Sequence, residues 1–204
     1  MALVITSSKD VHRAGSPNVG PHYINGESPV PHYSAAGQTG AVTWSDGGAG
    51  GTFNPAVGTE TDYTPANKTR SIIITATDSG AGGVGTKALS VKATFPLEPN
   101  RGFDIDTDDD TKESFARDKS RTTRQDGPVL ERRALELLGR LIATERAELR
   151  TFWLWHRKTI PFYFKDNATG ELVANCTHDS GLKQQVSPDD PNACNMSVVV
   201  KGYL

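Results

Sequence analysis

The chain has 204 residues, 36% hydrophobic and 23% charged, with a formal net charge of -2. This length gives one or two domains, each long enough to bury a core, and the composition is that of a globular protein. The near-neutral charge excludes a strongly basic nucleic-acid binder and a polybasic membrane-surface protein, and no apolar run approaches the roughly 18 residues of a membrane-spanning helix.

The opening residues, MALVITSSKD, hold a short apolar run without a basic flank or a long hydrophobic segment, so no secretory signal is expected. Without one, the sequons at Asn67, Asn167, Asn175 and Asn195 read as chance. Cys176 and Cys194 are too few for a disulfide framework and lie in no C-x-x-C motif. Reduced thiols are expected, with a bridge between them left open.

Glycine and charge divide the chain. Fourteen of the 20 glycines fall in residues 1–98, whereas 33 of the 46 charged side chains fall in residues 99–204. With Pro96 and Pro99 at the join, the sequence predicts one domain over residues 1–96 and another over 97–204.

The first half reads as all-β. Residues 2–6 are predicted as the first strand, and 11–24, rich in His, Gly, Pro and Asn, as an irregular arm. His12, His22 and His32 recur at a spacing of ten, which matches no metal-ligand pattern, so they read as separate surface histidines. Residues 41–44 form a short strand into a turn at 46–51, and 51–54 form another, closed by Pro55. Residues 70–77 (RSIIITAT) have the β-branched content of a central strand, followed by a glycine-rich turn over 78–85. Along 85–95, Leu89, Val91 and Ala93 alternate with Ala88, Ser90 and Lys92, as in a half-buried strand. Short strands at this spacing predict a β-sandwich, with Trp44 as its core aromatic.

The second half begins extended over 97–106 and runs into Asp104, Asp106, Asp108, Asp109 and Asp110. A calcium loop opening at Asp104 needs Gly where Asp109 stands and Glu where Phe115 stands, so a solvated acidic loop is expected, with no metal and no cofactor. Residues 111–125 are highly charged and read as a long hairpin or as a segment that orders against a partner. Residues 128–138 contain helix formers, yet Val129, Arg133, Leu135 and Leu137 follow a period of two. Residues 142–157 form the clearest helix, with Leu149, Phe152, Trp153 and His156 on one face, Thr144 as its cap and Pro161 as its stop. Trp153 is expected in the core and Trp155 partly exposed. Strands follow at 160–165, 171–177, 182–186 and 195–203.

Two resemblances follow from these phrases. AVTWSDGGAGGTFNP, TETDYTPA, RSIIITATDSGAGG and ALSVKATF, within about residues 28–95, resemble the bacterial and phage Ig-like domains. The second half, over about residues 94–204, resembles a family of tailed-phage minor tail proteins. The matching residues are Phe95-Pro96 with Asn100, Arg121–Asp126 (without the family's Glu-Gln-Arg-Arg), Arg132-Arg133, Glu145-Arg146, Leu149, Phe152-Trp153, His156-Arg157, Pro161–Phe164 with Asp166, Gly170-Glu171, Gln184–Val186, Pro188 and Met196–Val200. That family has a strand before its helix, which turns residues 132–138 toward strand. The expected fold is mainly β: an N-terminal Ig-like sandwich, then a tail-tube-like β-sandwich with one flanking helix.

What the resemblances imply is a structural virion protein of a tailed bacteriophage, made in the host cytoplasm and placed in the tail or tail tip. It would form a ring with itself, a hexamer by preference, and meet other tail proteins, with the Ig-like half as outward decoration. Asp108, Asp109, Asp110, Phe115, Arg117, Arg121, Arg124 and Trp155 are the expected subunit contacts, the arginines pairing with the acidic run of a neighbour. No P-loop, G-x-S-x-G, H-E-x-x-H or helix-opening G-x-G-x-x-G is present, so no enzyme is expected. The alternative is an adhesin whose Ig-like half binds a host-surface glycan through exposed Tyr23, Tyr33 and Tyr63.

Overall fold

The computed structural model describes residues 2–16, 23–98, 104–108, 111–115, 121–125, 130–137, 141–165, 170–186 and 194–203; for 104–137 and for 186, 194, 195 and 203 it describes the backbone alone. The chain is mainly β and separates into two compact units, Met1–Pro96 and Leu97–Leu204.

Unit 1 is a sandwich of two four-stranded sheets. Its strands are β1 (Val4–Ser7), β2 (Val11–Arg13), β3 (His32–Ala36), β4 (Val42–Ser45), β5 (Thr52–Asn54), β6 (Glu60–Thr64), β7 (Arg70–Asp78) and β8 (Val84–Lys92). One sheet runs β1-β3-β6-β5 and the other β2-β8-β7-β4. Period-two burial sets the register. β7 turns Ile72, Ile74 and Ala76 inward while β8 turns Leu89 and Val91 inward, with Ile72 opposite Leu89. Trp44 joins the sheets. Its ring lies 6.2 Å from Tyr33 of β3 and 6.5 Å from Phe53 of β5, and its indole N–H donates to the Gly58 carbonyl at 2.8 Å.

Two expectations change here. Residues 11–24 are not wholly an irregular arm, because Val11–Arg13 pairs in parallel with β8 at Val11↔Ser90. That pairing buries His12 at 2% exposure, so His12 is not a surface histidine. A three-residue strand carries too short a pattern to read. His32 is exposed on β3, and His22 lies outside the described residues.

Unit 2 holds β9 (Asp104–Asp108), β10 (Thr111–Phe115), β11 (Arg121–Gln125), β12 (Leu130–Leu137), α1 (Ala143–His156), β13 (Phe162–Lys165), β14 (Leu172–His178), β15 (Lys183–Val186) and β16 (Cys194–Tyr203). A six-stranded antiparallel sheet runs β13-β14-β16-β12-β9, with β15 also on β16. The ambiguous stretch is strand: β12 pairs along its whole length with β16, from Leu130↔Tyr203 to Leu137↔Met196.

α1 buries Leu149, Phe152 and His156 as its spacing predicts. Trp153 is only half-buried, as is Trp155, so Trp153 is not the core residue the helical pattern suggests. Its indole N–H reaches the Ser180 carbonyl at 3.5 Å, which holds it at the rim. Thr144 does not cap the helix. The cap position is Ile142, two residues earlier, and the Glu145 carboxylate accepts from the Ile142 N–H at 3.0 Å.

The register also settles the cysteines. β14 meets β16 at Thr177↔Lys201 and His178↔Val200, which puts the buried Cys176 beside Gly202. Cys194 begins the same strand, eight residues away, or roughly 26 Å of extended chain. Disulfides need Cα atoms within about 7 Å, so a bridge between the two is excluded.

Candidate functional site

The segment expected at the subunit interface is a hairpin. β10 and β11 pair antiparallel from Thr111↔Gln125 to Phe115↔Arg121 and form a two-stranded sheet of their own. Lys112 and Arg124, two basic residues, are register partners. Asp108 ends β9, opposite Leu130 of β12, in the six-stranded sheet. The fold therefore brings Phe115 and Arg121 together and places Arg121 and Arg124 in a different sheet from Asp108. Asp109, Asp110 and Arg117 lie outside the described residues. Trp155 sits near the end of α1, partly exposed.

The aromatic platform expected for a glycan is not formed. Tyr33 and Tyr63 are both 0% exposed, at inward positions of β3 and β6. Each follows an outward polar residue, and the period of two sends the ring into the core. Phe53 lies 4.6 Å from Tyr63, extending the aromatic line from Tyr33 through Trp44. Burial and the neighbouring Asp46 push the Tyr63 phenol well above its ordinary range. Tyr23 is half-buried.

Two aspartates that sequence reading passed over organise the loops of the sandwich. Asp46 accepts from the Gly48, Ala49 and Gly51 N–H groups at 3.0, 3.1 and 2.8 Å, and from the Tyr63 hydroxyl at 2.9 Å. Burial pushes its carboxyl up, but the hydrogen bonds from Gly51, Tyr63, Gly48 and Ala49 outweigh that and hold it below its ordinary value. Gly51 is required there, because a Cβ would lie 2.2 Å from the Tyr63 hydroxyl. Asp78 accepts from the N–H groups of Thr39, Gly40, Gly80 and Gly82 at 2.8 to 3.1 Å, and from the Thr39 hydroxyl. The Thr39 bond leads the set that holds this carboxyl well below the usual carboxylate range, against the opposing effect of burial. The signal was legible: Asp46-Gly-Gly-Ala-Gly-Gly and Asp78-Ser-Gly-Ala-Gly-Gly are the same hexapeptide with one change. Each supplies a carboxylate and the freely rotating backbone that folds back on it.

Unit 2 buries two histidines. His156 and His178, both 0% exposed, pack with Phe152 and Phe162. Phe152 lies 4.0 Å from His156 and 6.0 Å from His178, and Phe162 lies 5.6 and 4.7 Å from them. His156 Nδ1 donates to the Phe152 carbonyl at 2.9 Å, which fixes its tautomer. Burial, then the neighbouring His156, lowers His178 to about 3. Both rings pack α1 against β13 and β14.

The outward faces of the unit 1 sheets differ. β3 and β6 expose His32 against Asp62, joined at 2.8 Å, and Glu60 beside them. On the other sheet, a row runs from Val57 through Thr43 and Thr77 to Val84. Parallel rows follow: Ser45, Thr75 and Thr86; then Ile73 and Ala88; then Ser71, Ser90 and Val11. Arg13 and Lys92 close the face at that end.

Among the described residues, no group of three or more His, Cys, Asp or Glu is gathered as for a metal ion, and no helix is long and apolar enough to cross a membrane. No protein-family model, curated protein or solved structure matches the chain.

Proposed function

We propose that the chain is a structural subunit of a tailed-phage particle, assembling as a ring, a hexamer by preference, in the tail or tail tip. Unit 2 makes the ring contacts with neighbouring copies and other tail proteins, and unit 1 decorates the outside. The observation that carries this reading is the β10–β11 hairpin. It forms a two-stranded sheet that no other described strand joins. A hairpin of that kind is marginal in water and needs a surface to pack on. A neighbouring subunit supplies that surface, and the charges of residues 104–125 set register and partner choice more than affinity, since exposed ion pairs contribute about 0–1 kcal/mol each. The resemblance of the two halves to phage Ig-like and minor tail proteins points the same way.

The test removes residues 112–125 from the full chain and follows size by light scattering and shape by negative-stain microscopy. The expected result is a folded monomer in place of rings. Rings that persist without the hairpin refute the contact. Immunogold labelling of intact particles with antibody against unit 1 locates the protein, and label on host cells but never on particles refutes the tail assignment.

A further inference from the structure

We propose that the outward face of the β2-β8-β7-β4 sheet docks on the same face of a second copy of this chain, about a twofold axis running across the strands. Every residue involved belongs to unit 1, so the inference stands apart from the role given to unit 2.

A surface of a dozen exposed positions ordinarily carries about three or four charged side chains. The four rows between the Val57 and Val11 ends of this face carry none. They hold serine, threonine and alanine around four large apolar groups, Val11, Val57, Ile73 and Val84, each 53–61% exposed. The other sheet of the same unit has charged groups at Glu60 and Asp62 on its outward face. The neutral face is thus a property of one sheet.

Self-pairing follows from this chemistry. A twofold contact sets like against like, so a charged face repels its own copy, whereas a neutral one buries itself without stripping water from ions. Among the described residues of these four strands, the outward charges are Arg13 and Lys92, at one end of the rows. An axis across the strands reverses each strand over its mate. It sets the Arg13 and Lys92 end of one copy over the Val57 and Val84 end of the other and keeps the basic groups apart. An axis along the strands would stack them.

The area sets the strength. At a strand spacing of about 4.8 Å, with about 6.7 Å between outward residues along a strand, the face covers roughly 400 Å². Each partner of a standard stable interface buries about 800 Å². The contact is therefore weak between free molecules.

The test uses the full chain and three variants that leave the core untouched. Sedimentation at rising concentration should show weak dimerisation, and Ile73→Lys should weaken it roughly a hundredfold by opposing like charges in the contact. A short bismaleimide should link Ala88→Cys into dimers, with the native chain and Thr64→Cys, on the other sheet, left as monomers. Unchanged dimerisation in Ile73→Lys overturns the proposal, as does equal linking at Ala88→Cys and Thr64→Cys. A native chain that stays monomeric while Ile73→Lys loses binding to a host polysaccharide assigns the face to a sugar and overturns it too. The same series in the chain lacking 112–125 separates this contact from that of the hairpin.

Discussion

Leu89→Ala tests the register that defines unit 1. Leu89 is 1% exposed on β8, opposite Ile72, with the outward Ala88 beside it. The substitution removes three buried carbon groups at about 0.8 kcal/mol each, and the cavity adds to that, giving a loss of about 3 kcal/mol. For a unit of this length, about 3 kcal/mol corresponds to a fall in Tm of roughly 15 °C. Urea unfolding followed by circular dichroism and by Trp44 emission reads the midpoint, and the slope should not change, because the unfolded surface is nearly the same. Ala88→Ser, one residue away on the outward face, should cost less than about 0.5 kcal/mol. Equal losses at the two positions, or a loss under about 1 kcal/mol at Leu89, refute the alternation on which both sheets are built.

Unit 2 should weaken with acid. The unfolded chain protonates His178 near its ordinary value of 6.5 and the folded chain only near 3, so the unfolded state binds the extra proton between them and stability falls as pH falls through that window. Urea midpoints at pH 7 and pH 4.5, followed by Trp153 and Trp155 emission, should differ in the native chain and converge in His178→Phe. Unit 1 depends on acid at a lower pH, because the Asp78 carboxylate is held below its ordinary range; its contribution is present above the unfolded value near 3.8 and is lost as pH falls below it. Asp78→Asn should lower the Tm of unit 1 at pH 7 and flatten its loss between pH 4 and pH 2. Peptide mapping of the oxidised, folded chain should find no Cys176–Cys194 linkage, and reductant should leave Tm unchanged.

What the sequence shows in advance follows the length of each pattern. β7, β8 and α1 carry enough residues to be read directly as strand, strand and helix; Leu89 and Val91 of the second and Leu149, Phe152 and His156 of the third are buried as expected. β2 has three residues, so its parallel pairing and the burial of His12 rest on contacts with β8 that no local pattern encodes. Tyr33 and Tyr63 look like surface groups among polar neighbours, and only their position in the alternation sends them inward. Trp153 lies at a core spacing on α1, but the edge of the helical stripe leaves it half-covered. The Asp46 and Asp78 loops were readable as a repeated hexapeptide, yet their many donors, including Thr39 and Gly40 from a distant loop, appear only in three dimensions. The division between Pro96 and Leu97 lies where glycine gives way to charge.

β16 has a consequence for synthesis. It pairs with β12 on one side and with β14 and β15 on the other, and it follows all of them in the chain. The hairpin of β13 with β14, and the pairing of β9 with β12, can form as they emerge from the ribosome. They have no common sheet until β16 arrives to sit between them. Unit 1 completes itself earlier, since every strand it needs precedes residue 96. A nascent chain therefore carries a finished first unit and an open second one. A stalled or truncated product that lacks β16 exposes the unpaired edges of β12 and β14 together, the condition under which β-rich chains aggregate.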